Sequence, residues 1–170
     1  RSGLDDLPSL TAENLFWAGR NVGRTLSVAR HLRVVLNQMS CHQTEDTRPE
    51  SEKVITILKS LTHLTATFPG FVEKNDNGKE AIENPITELY SLILDESRPG
   101  SFANSMILFN NSYFSIRNLW SADMWRVFYD IKKIWGALIN KEKPSYNTIV
   151  KTLDQLITRL IAFMGLIEES

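Results

Sequence analysis

One run of apolar residues, repeating every three or four positions, constrains the fold of this chain most strongly. Its members are Leu15, Ala18, Val22, Leu26, Ala29, Leu32, Leu36 and Met39. An α-helix has about 3.6 residues per turn, so this spacing places all of them along one side of a helix. The run therefore predicts a long amphipathic helix over residues 15–39 whose apolar side packs against other elements.

The opposite side of this helix carries a second pattern, made of charged and aromatic residues. At about 100° per residue, a narrow arc contains Glu13, Trp17, Arg20, Arg24 and His31. Arg20 and Arg24 lie one turn apart, so their charges repel each other unless an anion or a carboxylate lies between them. A pair of guanidinium groups suits a carboxylate or a phosphate. Solvated arginines, or ordinary ion pairs with another helix, explain the same pattern.

Five further stretches show the helical period, and breaks containing proline, glycine or asparagine separate them. The predicted helices cover residues 54–68, 86–93, 102–120, 124–138 and 149–167. Residues 40–50 and 71–83 are rich in polar and turn-forming residues and are predicted to be loops. No alternating strand pattern is found. The predicted fold is all-α, a bundle of about six mostly antiparallel helices with no sheet.

Three helix starts carry recognisable signals. Asn84 precedes Pro85, which is the order of a cap residue followed by proline at the first helical position. Ser101 and Ser121 precede apolar periodic stretches, and each hydroxyl is expected to accept a hydrogen bond from a free backbone N–H group of the helix that follows. These signals fix where three of the predicted helices begin.

The helix predicted at residues 102–120 is apolar almost all round. Its apolar repeat consists of Phe102, Met106, Phe109, Tyr113, Ile116 and Trp120. Asn104, Asn111 and Asn118 repeat every seven residues on the opposite side, and Ile107 and Phe114 flank them. Such a helix is normally central, so we expect this asparagine stripe to face protein. It either fixes the register among helices or lines a polar pocket.

Composition and charge exclude several functions. The chain has 19 basic and 20 acidic residues and a net charge of −1, so neither nucleic acid nor an anionic membrane is an expected partner. No apolar run approaches the roughly 20 residues of a membrane span. The single cysteine, Cys41, cannot form an internal disulfide, which fits a reducing, cytoplasmic setting.

The sequence also lacks the usual signatures of metal and cofactor sites. His31, His42 and His63 show no metal-ligand spacing with Cys41 or with each other. There is no glycine-rich phosphate loop, no nucleophile elbow and no Glu-x-x-His set of a di-iron bundle. We therefore predict no metal site and no cofactor.

Three stretches together resemble the bacterial alpha-E domain family. The opening stretch is Leu7-Pro8-Ser9, Ala12-Glu13-Asn14-Leu15-Phe16-Trp17, Gly19-Arg20 and Arg24. The middle stretch is Pro99-Gly100-Ser101, Ile116-Arg117, Ser121 and Met124-Trp125. The closing stretch is Leu153-Asp154, Arg159-Leu160, Ala162-Phe163 and Gly165-Leu166. The resemblance spans almost the whole chain.

The resemblance implies a setting that composition does not. Alpha-E proteins are helical and usually twice as long, so residues 9–170 correspond to a first half and residues 1–8 to a linker from a preceding domain. They occur beside or fused to circularly permuted ATP-grasp proteins, often near transglutaminase-like proteins. The implied process is ATP-dependent peptide or amide ligation. The implied partners are an ATP-grasp domain or protein, a transglutaminase-like protein and the second alpha-E half, and the fragment alone can form a homodimer.

Two departures from the family pattern bear on activity. A Gly-Arg-Tyr-x-Glu-Arg run becomes Gly19-Arg20-Asn21-Val22-Gly23-Arg24, and an Arg-Glu-Asn-Ala-Arg run becomes Asn110-Asn111-Ser112-Tyr113-Phe114. The resemblance carries over no catalytic residue. We therefore predict a non-catalytic interaction or accessory module. The alternative is a binding or catalytic site for a small anionic ligand, formed by Glu13, Trp17, Arg20, Arg24, Asn111 and Arg117.

Overall fold

The computed structural model describes residues 9–43, 52–72 and 76–169. These ranges contain seven α-helices, one 3-10 turn and no strand, so the all-α prediction is confirmed for them. The helices are α1 (Ser9–Gln43), α2 (Glu52–Thr65), α3 (Asp76–Glu83), α4 (Pro85–Leu94), α5 (Phe102–Phe114), α6 (Ala122–Ile139) and α7 (Tyr146–Glu169). The 3-10 turn, Arg117–Leu119, lies between α5 and α6. The linker predicted at residues 1–8 lies outside the described ranges.

The chain forms two compact units. The first unit comprises Arg1–Leu26 with Ser105–Ser170, and the second comprises Ser27–Asn104. Helices α1 and α5 each contribute residues to both units. The two units are described separately below.

Helix α1 confirms the long amphipathic helix and extends it at both ends. The buried members of the apolar repeat are Ala18, Val22, Leu26, Ala29, Leu32, Leu36 and Met39. Residues 40–43 were predicted to be loop, and this is wrong because α1 continues through them. The Ser40 hydroxyl donates to the Leu36 carbonyl at 3.1 Å, so this polar side chain bonds to the preceding helical turn instead of ending the helix. Residues 44–50 of the predicted loop lie outside the described ranges.

The core of the first unit is a cluster of aromatic rings. Phe128 lies 5.8 Å from Phe109 and 4.7 Å from Trp120, measured between ring centroids. Tyr113 meets Phe163 edge to face at 4.8 Å. Offset and edge-to-face contacts of this kind are the favoured geometries of aromatic pairs. They join α5, α6 and α7 around the apolar repeat predicted for residues 102–120.

The helix predicted at residues 102–120 ends earlier than expected, at Phe114. Arg117 Nη1 donates to the Phe114 carbonyl at 2.9 Å and satisfies a backbone acceptor at the helix end. The 3-10 turn that follows still brings Trp120 into the core, at 9% exposure. All members of the apolar repeat are therefore buried as predicted, although the repeat spans a helix and the turn after it.

Two of the three predicted caps are confirmed. Asn104 N donates to Ser101 Oγ at 2.9 Å, and Met124 N donates to Ser121 Oγ at 3.2 Å. Helix α4 does begin at Pro85, but the Asn84 side chain makes no capping hydrogen bond. The Asn84 backbone N–H instead donates to the Glu80 carbonyl at 2.9 Å, which continues the pattern of α3.

Helix α3 itself corrects the prediction that residues 71–83 form a loop. Ala81 and Ile82 are half-buried and give this short helix an apolar contact that turn propensities do not reveal. Helix α2 also ends before its predicted boundary, at Thr65 instead of residue 68. Phe68, the last residue of the predicted helix, is exposed, whereas Phe71 is buried and its N–H donates to Thr62 Oγ1 at 3.0 Å.

Arg98 organises the second unit. Its Nη2 donates to Glu88 Oε1 at 2.5 Å and to the Thr67 carbonyl at 3.2 Å, and its Nη1 donates to Ser91 Oγ at 3.0 Å. The Arg98 and Glu88 side chains are 21% and 20% exposed. One guanidinium group thus joins the segment after α2, helix α4 and the turn that follows α4.

We expect Arg98→Met to lower the free energy of unfolding by about 2–3 kcal/mol, because a partly buried carboxylate and a carbonyl lose a charged donor. Arg126→Met is the matched control. Arg126 pairs with Asp123 at 3.3 Å, and both side chains are more than half exposed (75% and 65%), so we expect a change below about 0.5 kcal/mol. Urea denaturation measures both variants. Equal losses would contradict the organising role of Arg98.

The turn before α5 depends on Gly100. Its φ of +86° is unfavourable for other residues, and a Cβ there would lie 2.2 Å from the Thr65 carbonyl oxygen. We expect Gly100→Ala to lower the free energy of unfolding by more than about 2 kcal/mol. Gly136→Ala, on α6 with no heavy atom within 4 Å of its Cβ position, should be neutral or stabilise by up to about 1 kcal/mol. A thermal melt that ranks the two variants the other way would contradict this account.

Candidate functional site

The first two turns of α1, residues 9–17, bury none of their described side chains. Leu10, Phe16 and Trp17 are 67%, 61% and 49% exposed, and the first buried residue is Ala18 at 1%. We call residues 9–17 the α1 end. A helical segment this short is marginal alone in water, so its continuity with the packed remainder of α1 supports it. Several large apolar side chains exposed together are typical of a contact surface.

The structure brings Trp17 and Arg20 together within the predicted polar arc. The Arg20 guanidinium lies 5.9 Å from the centroid of the Trp17 ring, within the range of a cation–π contact. The ring of Phe16 meets Trp17 edge to face at 5.5 Å. Glu13 and Arg24 are exposed on the same side of the helix. Arg20 and Arg24 have no ion-pair partner among the described residues, so both positive charges face solvent.

His31, at the far end of the arc, belongs to the second unit and has an ordinary structural partner. Its Nε2 lies 3.3 Å from Ser60 Oγ on α2. His63 meets the ring of Phe68 at 5.3 Å. No group of three or more His, Cys, Asp or Glu in the described part of the chain is placed to hold a metal ion. The side chains of Cys41 and His42 lie outside the description.

Arg117 is placed against the end of α5. Its guanidinium lies 4.3 Å from the centroid of the Phe114 ring while its Nη1 donates to the carbonyl of the same residue. Asn111 is exposed on α5 one turn before Phe114. Among the described residues, no hydrogen bond or ring contact joins Arg117 to Arg20 or Arg24. Shared binding of one ligand by the three arginines stays a prediction.

Helices α1 and α5 are joined in the first unit by a polar contact between the two runs that depart from the family pattern of the resemblance. Asn21 Nδ2 donates to Ser112 Oγ at 2.6 Å. Asn21 stands where that pattern has tyrosine, and Ser112 lies in the run where that pattern carries charged residues. A neutral hydrogen bond therefore connects the two helices here.

A cavity of about 310 Å³ adjoins α5 in the first unit. Its lining residues are Asn110, Asn111, Phe114, Phe128 and Lys132. The sequence analysis identified Asn111 but missed Asn110 and Lys132. No sequence signal marks Lys132, because a single lysine on an amphipathic helix is ordinary. Its Nζ lies 5.9 Å from the centroid of the Phe128 ring.

Three buried polar atoms of the first unit have no hydrogen-bond partner among the described residues. They are Asn110 Oδ1, Tyr113 OH and Trp120 Nε1. Buried polar groups are normally paired, as Thr62 and Thr65 are in the second unit. Burial also raises the pKa of Tyr113 above its ordinary value. Tyr113 therefore stays neutral at physiological pH.

A larger cavity of about 500 Å³ lies on the other side of α6. Its lining residues are Asp130, Lys133, Ile134, Asp154, Gln155, Thr158 and Arg159. Asp130 and Arg159 pair at 3.6 Å across α6 and α7 and are about half exposed. A third cavity, of about 210 Å³, lies in the second unit and includes Glu88, which Arg98 already engages. In each of these two cavities, one acidic lining residue is therefore engaged in an ion pair with an arginine.

Comparison with known proteins bears on these residues. Residues 7–170 match the family described as Alpha-E, a predicted alpha-helical domain with a conserved ER motif. The chain belongs to the Alpha-E family. The sequence contains no Glu-Arg dipeptide, and in the resemblance described above Gly23-Arg24 takes the place of such a pair.

Relatives of this Alpha-E chain occur in mycobacteria. Uncharacterised proteins of Mycobacterium bovis and of Mycobacterium tuberculosis are 29% identical to it over 133 residues. The match covers 77% of this chain and 15% of each relative, so the chain spans about a seventh of their length. No solved structure matches it. In the described residues, no helix is both long enough and apolar enough to cross a membrane.

Proposed function

We propose that this Alpha-E chain is a cytoplasmic, non-catalytic interaction module that works with a circularly permuted ATP-grasp peptide or amide ligase. The α1 end is the surface that contacts the ligase. The observation that carries this proposal is the exposure of Leu10, Phe16 and Trp17 on a helix end whose described side chains are all at least partly exposed. Burying these side chains against a partner would supply an apolar contact that the described residues do not provide.

The charges beside the α1 end support a partner of defined chemistry. Arg20 and Arg24 follow Trp17 on the same side of α1 and lack ion-pair partners among the described residues. An acidic surface around an apolar pocket would complement this arrangement, with Trp17 as the anchor and the arginines at the rim. The chain spans only a seventh of its mycobacterial relatives, so such a partner can belong to the same polypeptide, including a second alpha-E half, or to a separate protein.

We expect Trp17→Ala to weaken binding to a purified circularly permuted ATP-grasp protein by at least about tenfold, because a central tryptophan is a typical hot spot. Isothermal titration calorimetry measures the affinity. Tyr129→Ala is the matched control, because Tyr129 is 61% exposed on α6 and belongs to the same unit. Its affinity should stay within about twofold of the unchanged chain.

Three results would count against this proposal. The first is no binding at high concentration to the ATP-grasp protein. The second is equal loss of affinity in both variants. The third is binding to a transglutaminase-like protein alone, which would keep the interaction role but reject the ligase as the partner.

A second candidate function is binding of a small anion at Arg20, Arg24 and Arg117. Arg20 and Arg24 favour it, because neighbouring arginines with no ion-pair partner among the described residues suit a phosphate or a carboxylate. Arg117 weakens the case, since its Nη1 already donates to the Phe114 carbonyl. The remaining residues of this predicted site are Glu13, Trp17 and Asn111.

For this second function, we expect the double substitution Arg20→Gln and Arg24→Gln to abolish saturable binding of inorganic pyrophosphate, followed by NMR titration. Arg126→Gln is the control, because Arg126 is an exposed arginine on α6. If pyrophosphate shifts no resonance near α1 in the unchanged chain, the anion site is excluded. If Arg117→Gln leaves the affinity unchanged, Arg117 does not belong to it.

A further inference from the structure

Two members of the asparagine stripe, Asn111 and Asn118, lie on the outer face of the first unit's part of α5 and in the turn after it. Both are exposed, and their side-chain amides make no hydrogen bond among the described residues. Asn104, in the second unit, is half-buried and donates from Nδ2 to the Glu96 carbonyl at 3.3 Å. Ile107, Leu108 and Phe114, on the same side as Asn111, are 36%, 50% and 50% exposed. The expectation that this stripe faces protein within the chain is therefore wrong for Asn111 and Asn118. The outer face of α5 combines exposed amides with exposed apolar groups.

The order of residues on this face is that of a helix–helix seam. Asn104, Ile107, Asn111, Phe114 and Asn118 are spaced alternately by three and four residues. Asparagines occupy one heptad position and apolar residues occupy the other. In parallel two-stranded coiled coils, an asparagine at the first of these positions pairs with its equivalent and fixes the register. We call Ile107, Asn111 and Phe114, at its centre, the α5 seam.

The charge on α5 favours a second copy of the same helix. No residue of Phe102–Phe114 is acidic or basic, so the facing helices themselves bring no like charges together. Arg117, over the Phe114 ring, and Lys132, beside the cavity, are the basic groups at the border of the seam. In a parallel pair each residue of the α5 seam meets its equivalent, which places amide against amide and apolar group against apolar group. Such self-complementarity is what a two-fold interface requires.

The cavity beside α5 supplies the hole for this packing. In knobs-into-holes packing, a residue at the position of Asn111 enters a hole formed by four residues of the facing helix. On this chain those four are Ile107, Asn110, Asn111 and Phe114, and the last three line the 310 Å³ cavity. Asn110 also has a buried Oδ1 that finds no donor among the described residues.

We propose that two copies of this chain associate through the α5 seam as a parallel helix pair with Asn111 at its centre. Helix α5 has 13 residues and is about 20 Å long, so the seam alone is small for a protein interface. The dimer is therefore weak and forms reversibly in the micromolar range. The α1 end, proposed above to contact the ligase, takes no part in it.

The first test measures self-association of the whole chain by sedimentation equilibrium from about 10 µM to 1 mM. Asn111→Asp places two carboxylates against each other and should weaken dimerisation by at least about tenfold. Asn111→Leu removes the polar pair and should tighten association. Asn147→Asp, an exposed asparagine on α7, is the matched control and should leave the dimer unchanged.

The second test uses single cysteines in a Cys41→Ser background under mild oxidation. In a parallel pair, Ile107→Cys faces its own equivalent and should form an intermolecular disulfide at the rate of Asn111→Cys. In an antiparallel pair centred on Asn111, the two copies of residue 107 lie about 12 Å apart along the axis and would not react. Tyr129→Cys, exposed on α6, is the control for random collision.

Several outcomes would overturn the proposal. They are a monomer at every concentration, a dimer that Asn111→Asp does not weaken, and disulfide formation that is no faster at position 107 than at position 129. Failure of Trp17→Ala to reduce ligase binding would leave the α5 result unaffected. The two proposals are therefore tested separately.

Discussion

Burial of the apolar side of α5 is the constraint on which the first unit depends. Phe109 and Tyr113 each meet Phe163 of α7, and Trp120 meets Phe128 of α6, so the rings hold α6 and α7 against one side of α5 and the turn after it. Aromatic side chains bury more apolar area than most others, so this cluster dominates the local packing energy. Once that side faces inward, the rotation of α5 about its own axis is fixed. Asn111, Asn118 and the apolar groups beside them then lie on the outside.

Periodicity predicted the helices well because it records which side of each helix is buried. The repeat from Ala18 to Met39 and the repeat from Phe102 to Trp120 were both recovered as buried sets. Boundaries were predicted less well because they depend on single hydrogen bonds. Ser40 bonds within α1 where a loop was expected, and Arg117 ends α5 six residues early. Helix α3 escaped detection because two half-buried residues outweigh its turn-forming sequence.

Among the described residues, the structure brings members of the predicted site into contact only where they share one helix. Trp17 and Arg20 lie three residues apart on α1, so helical spacing alone places them in contact. His31 shares their arc, yet a bond to Ser60 assigns it a structural role in the other unit. The unpaired Asn110 and the cavity beside it depend on residues from α5 and α6 together. No pattern along a single chain segment records such a meeting.

The guanidinium group of Arg98 also affects how the second unit opens. It bonds to the segment after α2 through Thr67, to α4 through Glu88 and Ser91, and it belongs to the turn that leads into α5. Three segments of the chain thus bond to one guanidinium group. If any of them detaches, the remaining hydrogen-bond partners of Arg98 become exposed to water. Their amide hydrogens would therefore exchange with solvent in one concerted event, so that this region behaves as a single folding unit.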